Sequence, residues 1–226
     1  MMRRMTCVTP PASPATEPMF QKILTSALIA GFGAGVLAAV LHLLTLEPLL
    51  LLAETYETGS PLAAFDLTRT ALTVLFFALT YVGFALLLCA GMVLQPGAWT
   101  PRQGVLWGLA GFITFQFAPA FGLPPEPPGL AASAIEPRQI WWFATVALTG
   151  AGLWLLTFQR GTVALAGVAL VALPHLVGAP DLALEATDVP GGLVAHFAVR
   201  SLAIGLIGWA SLGALCAFMI GQEEAA

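Results

Sequence analysis

Charge is scarce in this chain: 9% of its 226 residues are Asp, Glu, Lys or Arg, against 58% hydrophobic residues. A soluble domain carries nearer ~25% charged residues. Too few charges remain to cover a water-facing surface, so lipid is the solvent the composition calls for. The net charge of −4 gives no electrostatic footing for nucleic acid as a partner. Cysteine is scarce as well. Cys7, Cys89 and Cys216 stand far apart and outside any CxxC spacing, and the last two fall within apolar runs. That argues against a disulfide framework or zinc knuckle and reads them as small hydrophobes. The chain has no GxxxxGK(S/T) loop for nucleotide hydrolysis, no HExxH helix and no GxSxG elbow. No carboxylate falls in the middle of an apolar run, which leaves an internal proton relay without residues. No enzyme is expected, and any transport is passive, driven by a partner, or coupled through something other than these motifs.

Long hydrophobic runs are what the chain has in abundance. A helix crossing the hydrocarbon core needs about 20 apolar residues. Six runs are candidates: Ile23–Leu46, Thr70–Leu94, Val105–Leu123, Ile140–Phe158, Val163–Val177 and Phe197–Ile220. The expectation is an all-α, polytopic membrane helix bundle over residues 19–222. The fifth run is short and follows the fourth after only "QRGT", so these two should form an antiparallel hairpin. A count of five spans, with the fifth run re-entrant or merged with a neighbour, is the alternative. Residues 1–18, "MMRRMTCVTPPASPATEP", carry no apolar period and read as a disordered extension, with Met19 a natural start. Residues 223–226 form a short acidic tail. The first run is too long for the apolar region of a signal peptide and has no clear cleavage site, so it is expected to be retained.

Charge sorts by loop. The N-terminal segment and the second and fourth loops hold Arg3, Arg4, Lys22, Arg102 and Arg160. The first, third and fifth hold Glu47, Glu54, Glu57, Asp66, Glu126, Glu136, Asp181, Glu185 and Asp188, against Arg69 and Arg138 alone. Basic residues favour the cytoplasmic side, so the expected orientation in a bacterial inner membrane has both termini cytoplasmic and the acids outside. In the first span Ala27, Gly31, Gly35 and Ala39 recur every four residues, a flat stripe against which another helix can pack closely. "GLPPEPPG", Gly122 to Gly129, favours a stiff extended path that braces the outer surface. Trp141 and Trp142 suit an outer aromatic belt.

All three histidines fall at one level. His42 lies near the outer end of the first span, His175 near the outer end of the fifth, and His196 opens the sixth. Pro174 removes a helical hydrogen bond beside His175, and Pro180 closes the run. Glu47 and Glu54 follow His42. Imidazole with carboxylate suits a divalent transition metal. His42, Glu47, Glu54, His175 and His196 are therefore candidate metal contacts, set against ordinary roles for histidines at helix ends. Arg200, one turn after His196, calls for a partner, for which an acid of the first or fifth loop is the natural choice.

Four strings go further: "MFQKILTSALIAGFGAGVLAAVLHLL" near the start, "GVLWGLAGFITFQFAPAFGLPPEPPG", "RQIWWFATVALTGAGLWLLTF" and "LPHLVGAP". Together they resemble the CbtA family of cobalt transporter subunits over about Met19 to Ile220. The resemblance implies a bacterial multi-pass membrane protein that serves cobalt uptake for cobalamin synthesis. Co2+ would be the transported ion rather than a bound cofactor. It also implies a small single-span partner, CbtB, with a histidine-bearing tail, and about five spans where the count here is six. It brings no ligand set, so the five candidate residues rest on their placement alone. Two functions follow. In one, the chain is a metal permease subunit in which acids gather Co2+ and histidines take over its coordination. In the other it is a non-transporting scaffold or assembly subunit, for which sparse intramembrane charge and the small-residue stripe speak; a homo-oligomer is compatible with either.

Overall fold

The computed structural model describes residues 19–95, 99–130, 134–180 and 188–225, and every regular element among them is helical. Six continuous helical runs result. Helix α1 covers residues 19–58, as Met19–Leu41, a π-helical turn His42–Leu46, and Glu47–Thr58. Helix α2 is Leu67–Val93. Helix α3 covers residues 101–120, as Pro101–Phe112, a second π-helical turn Ile113–Phe117, and Ala118–Ala120. Helices α4, α5 and α6 are Ile135–Phe158, Thr162–Val177 and Gly191–Ala225. Four stretches, Phe20–Thr58, Leu67–Val93, Ile135–Phe158 and Gly191–Gly221, are long and apolar enough to cross a membrane. Helix α5 stands as a helix of its own with 16 residues, about 24 Å at 1.5 Å per residue, short of the ~30 Å hydrocarbon core. Residues 1–18, with the expected disordered extension and Cys7, lie outside the described residues.

The largest difference from expectation is in α1. The first span was expected to end at Leu46, with Glu47, Glu54 and Glu57 in a loop. Instead the helix carries straight on to Thr58 and places all three glutamates on helical backbone. A proline inside an α-helix clashes with the carbonyl four residues back and donates no hydrogen bond. Here the turn before Pro48 is widened: the Glu47 backbone N–H donates to the His42 carbonyl, five residues back. Helix α3 solves the same problem in the same way before Pro119, where the Ala118 N–H donates to the Ile113 carbonyl. The continuation of α1 is held by its apolar side, with Ala53 buried against Val189 and Leu193 at the start of α6. It ends at Gly59, whose left-handed backbone lets its N–H close the last turn on the Thr55 carbonyl.

Glycines set the packing partners. Helix α1 lies on α2 and α6, α3 lies on α6, and α4 pairs with α5. The stripe in α1 behaves as expected: a Cβ on Gly31 would come within 2.5 Å of the Val82 Cα, and one on Gly35 within 2.7 Å of the Ala78 Cα. Backbone-to-backbone approach of this kind is how helices associate where lipid removes the hydrophobic drive. The α3–α6 contact forms over Gly104, Gly108 and Gly213, and the α4–α5 contact over Gly152 and Gly167. Trp209 sits at the centre of the bundle, 1% exposed, stacked on Phe115 of α3 at 5.5 Å. Cys89 and Cys216 are buried and free, as small hydrophobes would be.

Candidate functional site at the acidic end

Helices α1, α3 and α5 finish, and α2, α4 and α6 begin, at one end of the bundle, and most of the carboxylates gather there. Asp66 caps α2, its side chain accepting the Thr68 backbone N–H at 2.8 Å. That cap starts the helix so that Arg69, in its first turn, faces the continuation of α1. Arg69 grips Glu54 with both terminal nitrogens: Nη1 donates to Oε2 at 3.1 Å and Nη2 to Oε1. Its Nε lies 3.9 Å from Glu47 Oε1. Residues 47 and 54 are two helical turns apart, so both carboxylates share one side of α1 and one arginine reaches both. Next to them is an open groove of about 590 Å³, lined by His42, Asp66, Thr68, Arg69 and Phe77 among others. The His42 ring packs on Phe77, centroids 5.1 Å apart.

Three carboxylates, Glu47, Glu54 and Asp66, surround one guanidinium and leave two net negative charges around this groove. The balance matches a divalent cation. Arg69 and Glu54 are about one-third exposed, 32% and 31%, and an ion pair that wet contributes roughly 0–1 kcal/mol. A metal ion can therefore compete with Arg69 for the carboxylates. Arg200 of α6 donates from Nη1 to the backbone carbonyl of Thr45, within the π-helical turn of α1, at 2.6 Å. An acid was expected as its partner, but the contact is a backbone carbonyl of that turn. Asp181 and Glu185 of the fifth loop lie outside the described residues.

The five candidate metal contacts do not converge. Glu47 and Glu54 meet through Arg69, and His42 borders the same groove. His175 is on α5, which packs on α4, and its ring stands edge-on to Phe121 and Trp141. His196 is exposed on α6, one turn before Arg200. Among the described residues no three of His, Cys, Asp and Glu stand close enough to hold a metal ion. Beside His175, the Pro174 carbonyl accepts both the Gly178 N–H at 3.0 Å and the Trp141 indole N–H at 3.3 Å. Trp141 is thus a buried lock between α4 and α5 rather than a residue of an aromatic belt.

Arg69 and Arg138, the two basic residues among the acidic loops, are both paired with acids. Arg69 takes Glu54, and Arg138 Nη2 donates to Glu126 Oε2 at 2.9 Å, tying the proline-rich loop to α4. The same loop rests on Glu57 and Val189 at Gly129, so it braces this end as its sequence suggests. Sequence reasoning missed Asp66 and Arg69 as groove residues, because the pairing needs the continuation of α1.

A family model described as "Probable cobalt transporter subunit (CbtA)" matches residues 20–221, nearly the whole chain. No curated protein matches. No solved structure matches either.

Proposed function

Because the chain belongs to the CbtA family, we propose that it is the membrane-embedded subunit that takes Co2+ from outside the cell and passes it inward for cobalamin synthesis. The observation that carries this is the groove at the acidic end, with two net negative charges and His42 on its wall. Field lines from clustered carboxylates raise the local concentration of a divalent cation. Glu47 and Glu54 then exchange Arg69 for the ion, and His42 offers the imidazole nitrogen that a middle first-row metal favours. His175 and His196 belong to the same reading as later or accessory contacts. The orientation that suits it puts both termini in the cytoplasm of a bacterial cell and the acidic end outside. A transporter subunit works with a partner, and a small single-span CbtB protein with a histidine-bearing tail fits that role.

Cobalt uptake by cells that express the chain with its partner tests this reading. Uptake above the empty-vector level, lost in a Glu47→Gln, Glu54→Gln double variant of normal membrane abundance, is the expected result. One observation favours a second reading, a scaffold without a conduction path: no three metal-ligating side chains meet among the described residues. In that case the double variant would transport as well as the parent in the complete complex.

A further inference from the structure

Helices α3 and α4 meet toward one end and part toward the other. At its π-helical turn α3 leans on α4: a Cβ on Gly150 would come within 3.4 Å of Thr114 Cγ2, and the Phe115 ring lies 6.4 Å from that of Trp142. Toward Gln103 the two helices stand apart. A groove of about 830 Å³ opens between them, with Leu87 and Leu88 of α2 as its third wall. Its size falls among small-molecule sites, ~300–1,000 Å³. The lining is apolar along its depth and changes at the mouth. There Trp99, Trp107 and Trp154 stand edge to face in a row, 5.5 and 6.5 Å apart, as suits the level where hydrocarbon gives way to headgroups. Gln103 has its Oε1 taken by Thr100, which leaves its amide nitrogen to donate. Arg102 precedes it, and Arg160 follows Phe158 by two residues on the opposite wall. Both arginines are exposed, and neither pairs with an acid among the described residues. The described cations at this end are Lys22, Arg102 and Arg160, against Glu223 and Glu224 in the last turn of α6.

We infer that this groove holds an acyl chain of an anionic phospholipid from the leaflet at the basic end, with the headgroup at the mouth flanked by Arg102 and Arg160. Depth identifies the occupant. From Gln103 to Thr114 the groove runs about 17 Å along α3, and from Val146 to Phe158 about 18 Å along α4. Half of the ~30 Å hydrocarbon core is about 15 Å, the reach of one leaflet's chains. A partner helix that crosses the membrane needs the full core and would collide with the closed end at Thr114 and Gly150. Charge identifies the headgroup, because basic pockets between membrane helices attract anionic lipids. Filled in this way, the groove braces the α4–α5 hairpin against α3 over the half of α4 that α3 does not reach. The site lies at the opposite end of the bundle from the acidic groove and stands apart from the uptake reading.

The test places the full chain in phosphatidylcholine vesicles containing a small share of phosphatidylglycerol or phosphatidylethanolamine with brominated acyl chains, which quench tryptophan on contact. Three of the six tryptophans line the groove. Brominated phosphatidylglycerol should quench at a roughly fivefold lower mole fraction than brominated phosphatidylethanolamine, the effect of about one basic residue beside an anionic headgroup. In an Arg102→Gln, Arg160→Gln double variant the two lipids should quench alike. Ala147→Phe, which puts a ring into the groove from α4, should remove the preference as well. If Ala147→Phe does not accumulate, the arginine variant, altered only at exposed side chains, still decides. Equal quenching by the two lipids in the parent would show ordinary surrounding lipid only and overturn the inference. A preference that survives either variant would overturn it too. So would a dimer mass without bound phospholipid for the chain extracted in mild detergent, with a monomer mass for Ala147→Phe, because a second copy would then cover the groove.

Discussion

Arg69 holds Glu54 with two nitrogens while a third nears Glu47, and in the uptake reading proposed above it is the counter-ion a cation would displace to reach Glu54. Replacing it with an uncharged side chain should free both carboxylates. Arg69→Gln is expected to lower the KM for Co2+ several-fold, and Glu54→Gln to raise it by a similar factor, as charge-assisted contacts are roughly twice as strong as neutral ones. Initial uptake rates across a cobalt series, normalised to membrane abundance, separate the two; a KM that rises in both variants would show that Arg69 serves the fold and not the site. The histidines divide in the same way. His42 borders the charged groove, and His175 rests on Phe121 and Trp141. Glutamine keeps a polar side chain but is a poorer ligand for such metals. His42→Gln should therefore reduce uptake at limiting cobalt more than His175→Gln does, and equal losses would return His175 to the first rank of ligands.

At the scale of elements, the apolar runs were legible because lipid leaves helices little alternative: backbone groups in hydrocarbon must be satisfied within the segment. The four-residue stripe of α1 was legible too, since it announces close approach wherever the partner helix lies. That α1 runs on to Thr58 was not, because Pro48 reads as a stop until the π-helical turn before it is seen. The site followed suit. Glu47 and Glu54 were identified by type, but their joint grip on Arg69 depends on helical spacing across a segment expected to be a loop. The meeting of α1 with α2 has its own test. Gly31→Val puts side-chain atoms where a Cβ alone would come 2.5 Å from the Val82 Cα, and forced overpacking typically costs 1–3 kcal/mol or more. Membrane abundance and melting temperature should fall sharply. A similar substitution at Gly83, whose Cβ would meet nothing within 4 Å, should be tolerated.

For the whole molecule, sidedness links the acidic end to function. Reporter fusions at Gly97 and Gly221 should read cytoplasmic and one at Ala183 external, because the basic residues sort to the other end of the bundle. A cytoplasmic signal at Ala183 would place the carboxylates on the wrong side to collect an incoming cation. The most direct measurement is cobalt uptake at limiting cobalt in cells carrying the partner with either the parent chain or the Glu47→Gln, Glu54→Gln variant. With both proteins equally abundant in the membrane, the parent should raise uptake well above the empty vector and the variant should fall back toward it. Equal uptake by parent and variant would contradict the capture of the ion by the acidic groove.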